Sequence, residues 1–416
     1  MAANTAGMPP AAAHAAHLRT FGAEPAVHRR RERAILLEAV AASGLRGRGG
    51  AGFPTHRKLV AVAEHRGRRV AVANGTEGEP LSHKDSVLLR HAPHLVIDGL
   101  LLAAGAVGAD SAALVVSRAM RGLPALRELV DWRAARSRDV ELTLHEAPER
   151  FVVGEESALV NWLNGGPAKP TITPPRPSER GVRGRPTLVQ NAETLAHMAL
   201  IARFGADWFR QLGTRREPGT LLLTVTGPVR TPGVCEVPLG TTVERVLEMA
   251  GGLTAPMGGM LVGGYFGTWV APLDVADLRV THDDFGRVGA SLGAGTLGVL
   301  PAAACPIAET ARVMRYLARE SAGQCGPCVF GLPALADALG SLARRDHPAQ
   351  AEAQLRRLAG LVDGRGACAL PNGAARLVRS LLTAFPQELE RHRGGACCAT
   401  RRDPAFPVPA PTSDWR

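Results

Sequence analysis

Residues 68–80 read RRVAVANGTEGEP, a short valine-rich apolar run that stops at Asn74-Gly75. Its length and β-branched content make 68–74 a buried strand, with a turn at its carboxyl end. The same arrangement repeats downstream. The apolar stretch at 86–106 has the length of one long helix, SAALVVS (111–117) and VELTLHEA (140–147) read as further strands, and a helical segment separates them. This rhythm predicts an α/β domain with a largely parallel, covered sheet. Upstream, RRRERAILLEAVAAS (29–43) has helical spacing and ends at Gly44, and the glycine-rich GLRGRGGAGF follows it. A further helix is expected at 57–65.

The chain has 416 residues, enough for two to four domains. Hydrophobic residues make up 45% and charged residues 21%, so general disorder is excluded. Aromatics are only 4%, too few for a single-strand nucleic-acid binder built on stacking faces. The net charge is +11, but only three of the 49 basic residues are lysines, and the arginines are mostly scattered. A coding preference for arginine accounts for that balance better than nucleic acid does. It also singles out Lys58, Lys84 and Lys169 as places where a compact ammonium is retained.

Residues 1–28 lack the basic start and apolar core of a secretory signal and are expected to form a flexible arm. The uncharged run 255–273 contains five glycines and two prolines, so it reads as hairpin strands and not a membrane span. The Pro- and Gly-rich segment 165–186 is expected to be a stiff, extended excursion. From 220 the strands TLLLTVTG and VCEVPLG, a helix opened by Thr241 or Thr242, and GGMLVGGYFGTWV describe a mixed β module. Residues 308–392 are helical except at their cysteine segments, and 393–416 is expected to be a tail.

Gly47-Arg48-Gly49-Gly50-Ala51-Gly52 satisfies G-x-G-x-x-G, which lets backbone N–H groups approach a phosphate. It follows a helix where a dinucleotide fingerprint follows a strand, so a simple Rossmann turn is disfavoured and a flexible turn is the plain alternative. Asn74 to Pro80 lies at a strand's carboxyl end, with Lys84 and Asp85 just beyond, the position where open sheets bind ligands. Gly154-Glu155-Glu156-Ser157 follows FVV, read as a strand, and opens a helix, where carboxylates also serve as simple dipole partners. Seven cysteines with a C-x2-C at Cys325 and Cys328 point to a metal or redox element in a reducing cytoplasm, not to disulfides. Cys235 and Cys305 read as core thiols.

Taken in order, GLRGRGGAGFPT, NGTEGEP, VVGEESAL, GRPTLVQNAETL, ESAGQCGPC and ACAL resemble the flavin-carrying, NADH-oxidising subunit of respiratory complex I and related diaphorases, over residues 30–395. The resemblance implies a flavodoxin-like FMN domain (29–215), a β-grasp-like SLBB domain (216–300) and a helical bundle with an iron–sulfur site (301–392). It implies that Gly47, Arg48, Gly49, Gly50, Gly52 and Lys58 hold the FMN phosphate and ribityl chain. Asn74, Glu77, Gly78, Gly154, Glu155, Asn191 and Thr194 would line the flavin. Glu79 and Glu156, as catalytic carboxylates, and Phe53 would face the nicotinamide nucleotide. Cys325, Cys328 and Cys368 would hold a [4Fe-4S] cluster.

Several positions depart from that family. Thr76 stands where the family has Asp, Ala61 and Arg176 where it has stacking aromatics, and Thr173 where it has Lys. Arg176 could stack or bind a phosphate and so favour NADPH. The first cluster cysteine is Ala322, leaving a fourth ligand to Glu320, Cys305, Cys397, Cys398 or water, or leaving a three-iron cluster; three thiolates also suit zinc. The expected function is transfer of electrons between NAD(P)H and a protein acceptor, a ferredoxin or thioredoxin-like iron–sulfur subunit, with no nucleic acid and no membrane span. The expected location is cytoplasmic, at most peripheral to a membrane complex. The alternatives are a ferredoxin-linked flavoprotein that uses no nicotinamide and a nonenzymatic scaffold.

Overall fold

The computed structural model describes residues 5–25, 27, 29–400, 403–410, 412 and 414–416. Four strands form a wholly parallel sheet: β1 (Val70–Gly75), β2 (Ser111–Ser117), β3 (Glu141–Ala147) and β4 (Thr187–Asn191). Their order is β3-β2-β1-β4, so the chain runs outward from β1 to β3 and then returns to the other side of β1. The connectivity therefore reverses between β1 and β4, and their carboxyl ends flank the crevice where open sheets take ligands. The register sets Asn74 directly beside Asn191 at that point.

One face of the sheet is covered by helices α1 (Pro10–Phe21), α2 (Arg30–Ser43), α3 (Thr55–Ala63), α4 (Lys84–His91), α5 (Pro93–Val107), α6 (Leu123–Ala134) and α8 (Ala192–Phe209). The other is covered by α7 (Glu156–Leu163) and the start of the proline-rich excursion, where Val153, Leu159 and Ala168 are buried. The long helix expected over 86–106 is in fact two, α4 and α5, bent by 98°. Pro93 explains the break, because it has no N–H and bars helical geometry at Ala92, which sits at φ −140°, ψ 50°. The FVV segment, expected as a strand, is a 3-10 turn, Phe151–Gly154. Among the described residues no single helix is long and apolar enough to cross a membrane; only the bent α4–α5 pair reaches that length and composition.

The mixed β module is a five-stranded sheet in the order β6-β5-β9-β7-β8, built from β5 (Thr220–Thr226), β6 (Gly233–Pro238), β7 (Met257–Val262), β8 (Thr268–Val270) and β9 (Thr296–Pro301). Thr242 caps α9 (Val243–Met249), and short helices α10 (Pro272–Val275) and α11 (His282–Arg287) follow. The uncharged run is the antiparallel β7–β8 hairpin, as its glycines predict. Helices α12 (Pro306–Arg319), α13 (Leu332–Arg344), α14 (Pro348–Val362) and α15 (Leu370–Ala384) pack as a bundle around Leu335, Leu355 and Leu377, and α16 (Pro386–Arg393) closes it.

Both ends of the chain are tied down where loose segments are expected. In the N-terminal arm, α1 buries Ala13 and joins His17 to Asp98 of α5 at 2.7 Å; residues 1–4, 26 and 28 lie outside the described residues. The apolar periodicity of the alanine run carries this packing, and composition alone hides it. In the C-terminal segment, Phe406 is fully buried against Trp269, and the Tyr265 hydroxyl donates to the Pro407 carbonyl. Trp415 lies under the Arg150 guanidinium at 3.8 Å and its carbonyl accepts from Ala168 N at 2.7 Å. The segment thus runs from the bundle back to the parallel-sheet domain.

Candidate functional site

A cavity of about 600 Å³ opens at the β1–β4 crevice. Arg48, Gly49, Gly50, Asn74, Glu77, Gly78, Glu79, Gly154, Glu155 and Asn191 border it, so the glycine loop, the 74–80 turn and the 154–155 turn meet at one place. A Cβ on Gly49 would lie 3.3 Å from the Asn191 Cβ, and Asn74 Nδ2 donates to the Gly154 carbonyl at 2.8 Å. Gly47, Gly52, Phe53, Lys58, Thr194 and Glu156 do not border the cavity. Phe53 is about half exposed, Lys58 Nζ sits 3.0 Å from the Glu156 carboxylate, and the Thr194 hydroxyl accepts from Arg48 N at 2.8 Å.

The polar side chains around the cavity have local tasks. Glu77 accepts from the N–H groups of Asp85 and Ser86 at 2.9 and 3.0 Å and so occupies the amino end of α4. Glu155 caps α7 through Ser157 N and Ala158 N, and Asn191 caps α8 through Glu193 N. Three helix amino ends are thereby gathered around one space, two of them already satisfied by the carboxylates of Glu77 and Glu155 and the third by the Asn191 amide oxygen. Arg48 turns its guanidinium away, donating to the Thr220 carbonyl from both Nε and Nη2. Thr76 keeps the turn in shape by donating to Asn74 Oδ1 at 2.8 Å.

Lys84, one of the three lysines, also borders the cavity. It is buried, with Asp85 at 2.8 Å, Glu193 at 3.0 Å and Asn191 Oδ1 at 3.2 Å. Burial works against its charge, but the two carboxylates outweigh it and lift its pKa above the ordinary lysine value. Burial likewise opposes charge on Glu193, yet Lys84, His197 and Arg48 hold that carboxyl down at about 2. A buried ammonium balanced by two carboxylates therefore stands at the cavity wall.

The second and third domains supply the remaining walls, of which sequence reading assigned Cys368 alone, as a cluster ligand. Phe266, Ser291 and Gly293 come from the mixed β module, and Cys368, Leu370 and Arg376 from the bundle. The aromatic bracketed by glycines in GGYFG was a usable signal for Phe266; Arg376, lying among apolar positions of α15, offered none. Gly264 (φ 83°) lets this module approach, since a Cβ there would fall 2.2 Å from Glu79 Cδ. Glu79 accepts from Tyr265 N at 2.9 Å and Leu81 N at 3.2 Å, but burial dominates and pushes its carboxyl up to about 7.

This raised value has a stability consequence. Between the ordinary value of 4.5 and about 7 the folded chain keeps a proton that the unfolded chain has released. Stability is expected to fall as pH rises through that window and to level off above it. The Glu79 contribution is at most about 3 kcal/mol. Thermal unfolding of wild type and Glu79→Gln across pH 4.5–8 checks this: wild type should lose stability relative to the Gln variant as pH rises to about 7, and a constant difference would contradict it.

Cys325, Cys328 and Cys368 come together, close enough that Cys325 and Cys328 act electrostatically on each other and on Cys368. The backbone N–H groups of Ala367 and Cys328 point at the Cys325 sulfur, as they do around sulfur-ligated metal centres. Ala322 is buried nearby in the chain, and the Ser321 hydroxyl donates to the Cys328 backbone carbonyl at 3.3 Å. None of the side chains expected as a fourth ligand completes this group. Glu320 is taken by Phe151 N at 2.8 Å and Arg150 at 3.2 Å. Cys305 begins α12 while Cys325 follows its end, and fourteen helical residues separate those ends by about 21 Å; Cys397 and Cys398 lie with Cys305. All seven cysteines are free. Ala61, Thr173 and Arg176 are exposed and lie outside the cavity walls.

The profile of the Nuo51 FMN-binding domain matches residues 40–200, that of the SLBB domain 222–259, and that of the NADH-ubiquinone oxidoreductase-F iron-sulfur binding region 308–392. The F subunit of NADH-quinone oxidoreductase from Streptomyces coelicolor is 33% identical over 384 residues, covering 87% of this chain and 84% of the relative. The Escherichia coli protein of the same name is 32% identical over 379 residues, with 85% and 83% covered. A crystal structure of NAD+-reducing [NiFe]-hydrogenase in the H2-reduced state superposes with a TM-score of 0.81 at 33% identity, over 90% of this chain and 64% of that one. In the air-oxidised state the TM-score is 0.78. The chain thus spans just under two thirds of the hydrogenase chain.

Proposed function

From the premise that this chain belongs to the family of NADH-quinone oxidoreductase F subunits, we propose that it binds FMN in the β1–β4 cavity and passes electrons from NADH through an iron–sulfur cluster to a partner protein. One observation carries this reading: Cys368 of the thiol group borders the same cavity as the three glycine-bearing turns. The cavity's size and its small-residue walls at Gly49, Gly50, Gly154 and Gly293 suit a flat ligand with an anionic tail. The three-thiol group suits an iron–sulfur cluster that is one cysteine short.

When bound, FMN supplies acceptance of a hydride and release of its two electrons one at a time. The chain's own groups prepare the site for that chemistry. The glycine loop at Gly49 and Gly50 borders the cavity without side chains, so its backbone N–H groups can approach an anionic group of the ligand. Phe266 and Leu370 exclude water from the wall facing the bundle. Glu79, with its carboxyl near neutrality, can hold or release a proton at the cavity edge. Cys325, Cys328 and Cys368 would hold the cluster.

The acceptor we infer is an acidic iron–sulfur protein, a ferredoxin or a thioredoxin-like subunit, because the chain's charge of +11 speeds encounter with a partner of opposite sign. Seven unpaired thiols fit a reducing cytoplasm. The exposed positions of Ala61, Thr173 and Arg176 favour one second reading, reduction by ferredoxin with no nicotinamide. The chain reconstituted with FMN, iron and sulfide under anaerobic conditions separates the two. Bleaching of flavin absorption by NADH is expected; bleaching by reduced ferredoxin alone would support the second reading, and a chain that takes up no flavin would overturn both.

A further inference from the structure

Beyond the flavin cavity, one other cluster among the described residues gathers metal-binding side chains. Cys305 at the amino end of α12, Glu388 and His392 one turn apart on α16, and Cys397 in the C-terminal segment place one ligand atom each within 4.8 Å of one another. Cys305, Glu388 and His392 are buried and Cys397 is half-buried.

The distances among three of these atoms lie close to the edges of a tetrahedron around a single small ion. Cys305 Sγ lies 3.4 Å from His392 Nε2 and 3.7 Å from Glu388 Oε1, and His392 Nε2 lies 3.1 Å from Glu388 Oε1. Zinc bonds of about 2.0–2.1 Å to nitrogen or oxygen and about 2.3 Å to sulfur give ligand edges of about 3.3–3.8 Å in tetrahedral geometry. The imidazole is already oriented for this. Its Nδ1 sits 2.9 Å from the Leu342 carbonyl, which fixes the N–H there and leaves the Nε2 lone pair facing the cluster. Glu388 is steadied in turn by Cys398 N at 3.0 Å.

We propose that Cys305, Glu388, His392 and Cys397 hold one structural zinc ion, separate from the Cys325–Cys328–Cys368 group. Two thiolates, an imidazole and a carboxylate form a donor set that selects zinc over magnesium or calcium, which prefer oxygen ligands. Four protein ligands leave no open position, so the ion has a structural task. It pins the segment beyond α16 to the start of α12, and that segment then carries Phe406 into the bundle and Trp415 onto Arg150. The site gathers at the amino end of α12 while the three-cysteine group follows its carboxyl end, and the two share no ligand.

The experiment uses the full chain, purified with its flavin and iron from zinc-supplemented medium, with zinc and iron counted by mass spectrometry. One zinc per chain is expected. His392→Gln and Cys397→Ser should each lose it while iron and flavin stay at wild-type levels, a pattern that also separates failure of this proposal from failure of the flavin reading. Should either variant be insoluble, Co2+ offered to zinc-depleted wild type that still holds its iron decides: thiolate-to-cobalt charge-transfer absorption supports the site. Wild type that holds no zinc and gives no such absorption would overturn the proposal, as would zinc that survives both substitutions or leaves with the iron in Cys328→Ser.

Discussion

Lys84→Met is expected to lower the first thermal unfolding midpoint by roughly 6–20 °C and to strip the chain of flavin during purification. Lys84 is the cation for two buried carboxylates, Asp85 and Glu193, and Asn191 Nδ2 donates to Asp85 at 2.7 Å within the same group. Removing the ammonium leaves two desolvated charges without their partner, a change that costs about 3–5 kcal/mol in comparable buried pairs. The damage sits at the cavity wall, so the loss of stability and the loss of ligand should occur together. Lys84→Arg keeps the charge but needs room for a planar fork, and should fall between wild type and Met on both measures. Differential scanning fluorimetry and the flavin absorbance of the eluate check this; a Met variant that keeps both midpoint and colour would show that the buried charges find another partner.

Cys328→Ser should reduce iron to background while leaving flavin binding and its bleaching by NADH intact. Cys328 is buried between Cys325 and Ser321, and with one thiolate already missing at Ala322 the group cannot lose another and still hold iron. Electron delivery to a one-electron protein acceptor should then cease, although a two-electron dye still turns over. Ala322→Cys is the complementary change: iron per chain should rise and the cluster should better resist chelators. Iron and acid-labile sulfide counts, paired with acceptor assays, read both variants. Iron retained by Cys328→Ser would place the cluster elsewhere.

The parallel sheet was legible because β1 and β2 are buried on both faces and so read as unbroken apolar runs. Apolarity was also what misled at 86–106. It continues unbroken through Pro93, and one missing N–H, not hydropathy, divides α4 from α5. The cavity was legible in its first domain, since glycine turns at strand ends are local signals. Its other walls were not, because Phe266 and Arg376 reach it only through the packing of one domain on another. Glu77, Glu155 and Asn191 were legible as positions but not in their tasks. Whether a carboxylate or amide faces a ligand or caps a helix depends on where the next N–H groups point, and a one-dimensional reading cannot show that. The grouping of Cys305 with His392 and Cys397 was likewise hidden by sequence separations of about ninety residues.

The meeting of Glu79 with Gly264 limits how such chains can be recombined. A chimaera that grafts a foreign middle segment onto this flavin domain must arrive with a residue lacking a side chain at that single seam. Otherwise the intruding carbon would wedge the two halves apart and open the pigment chamber to solvent, however well each half folded alone.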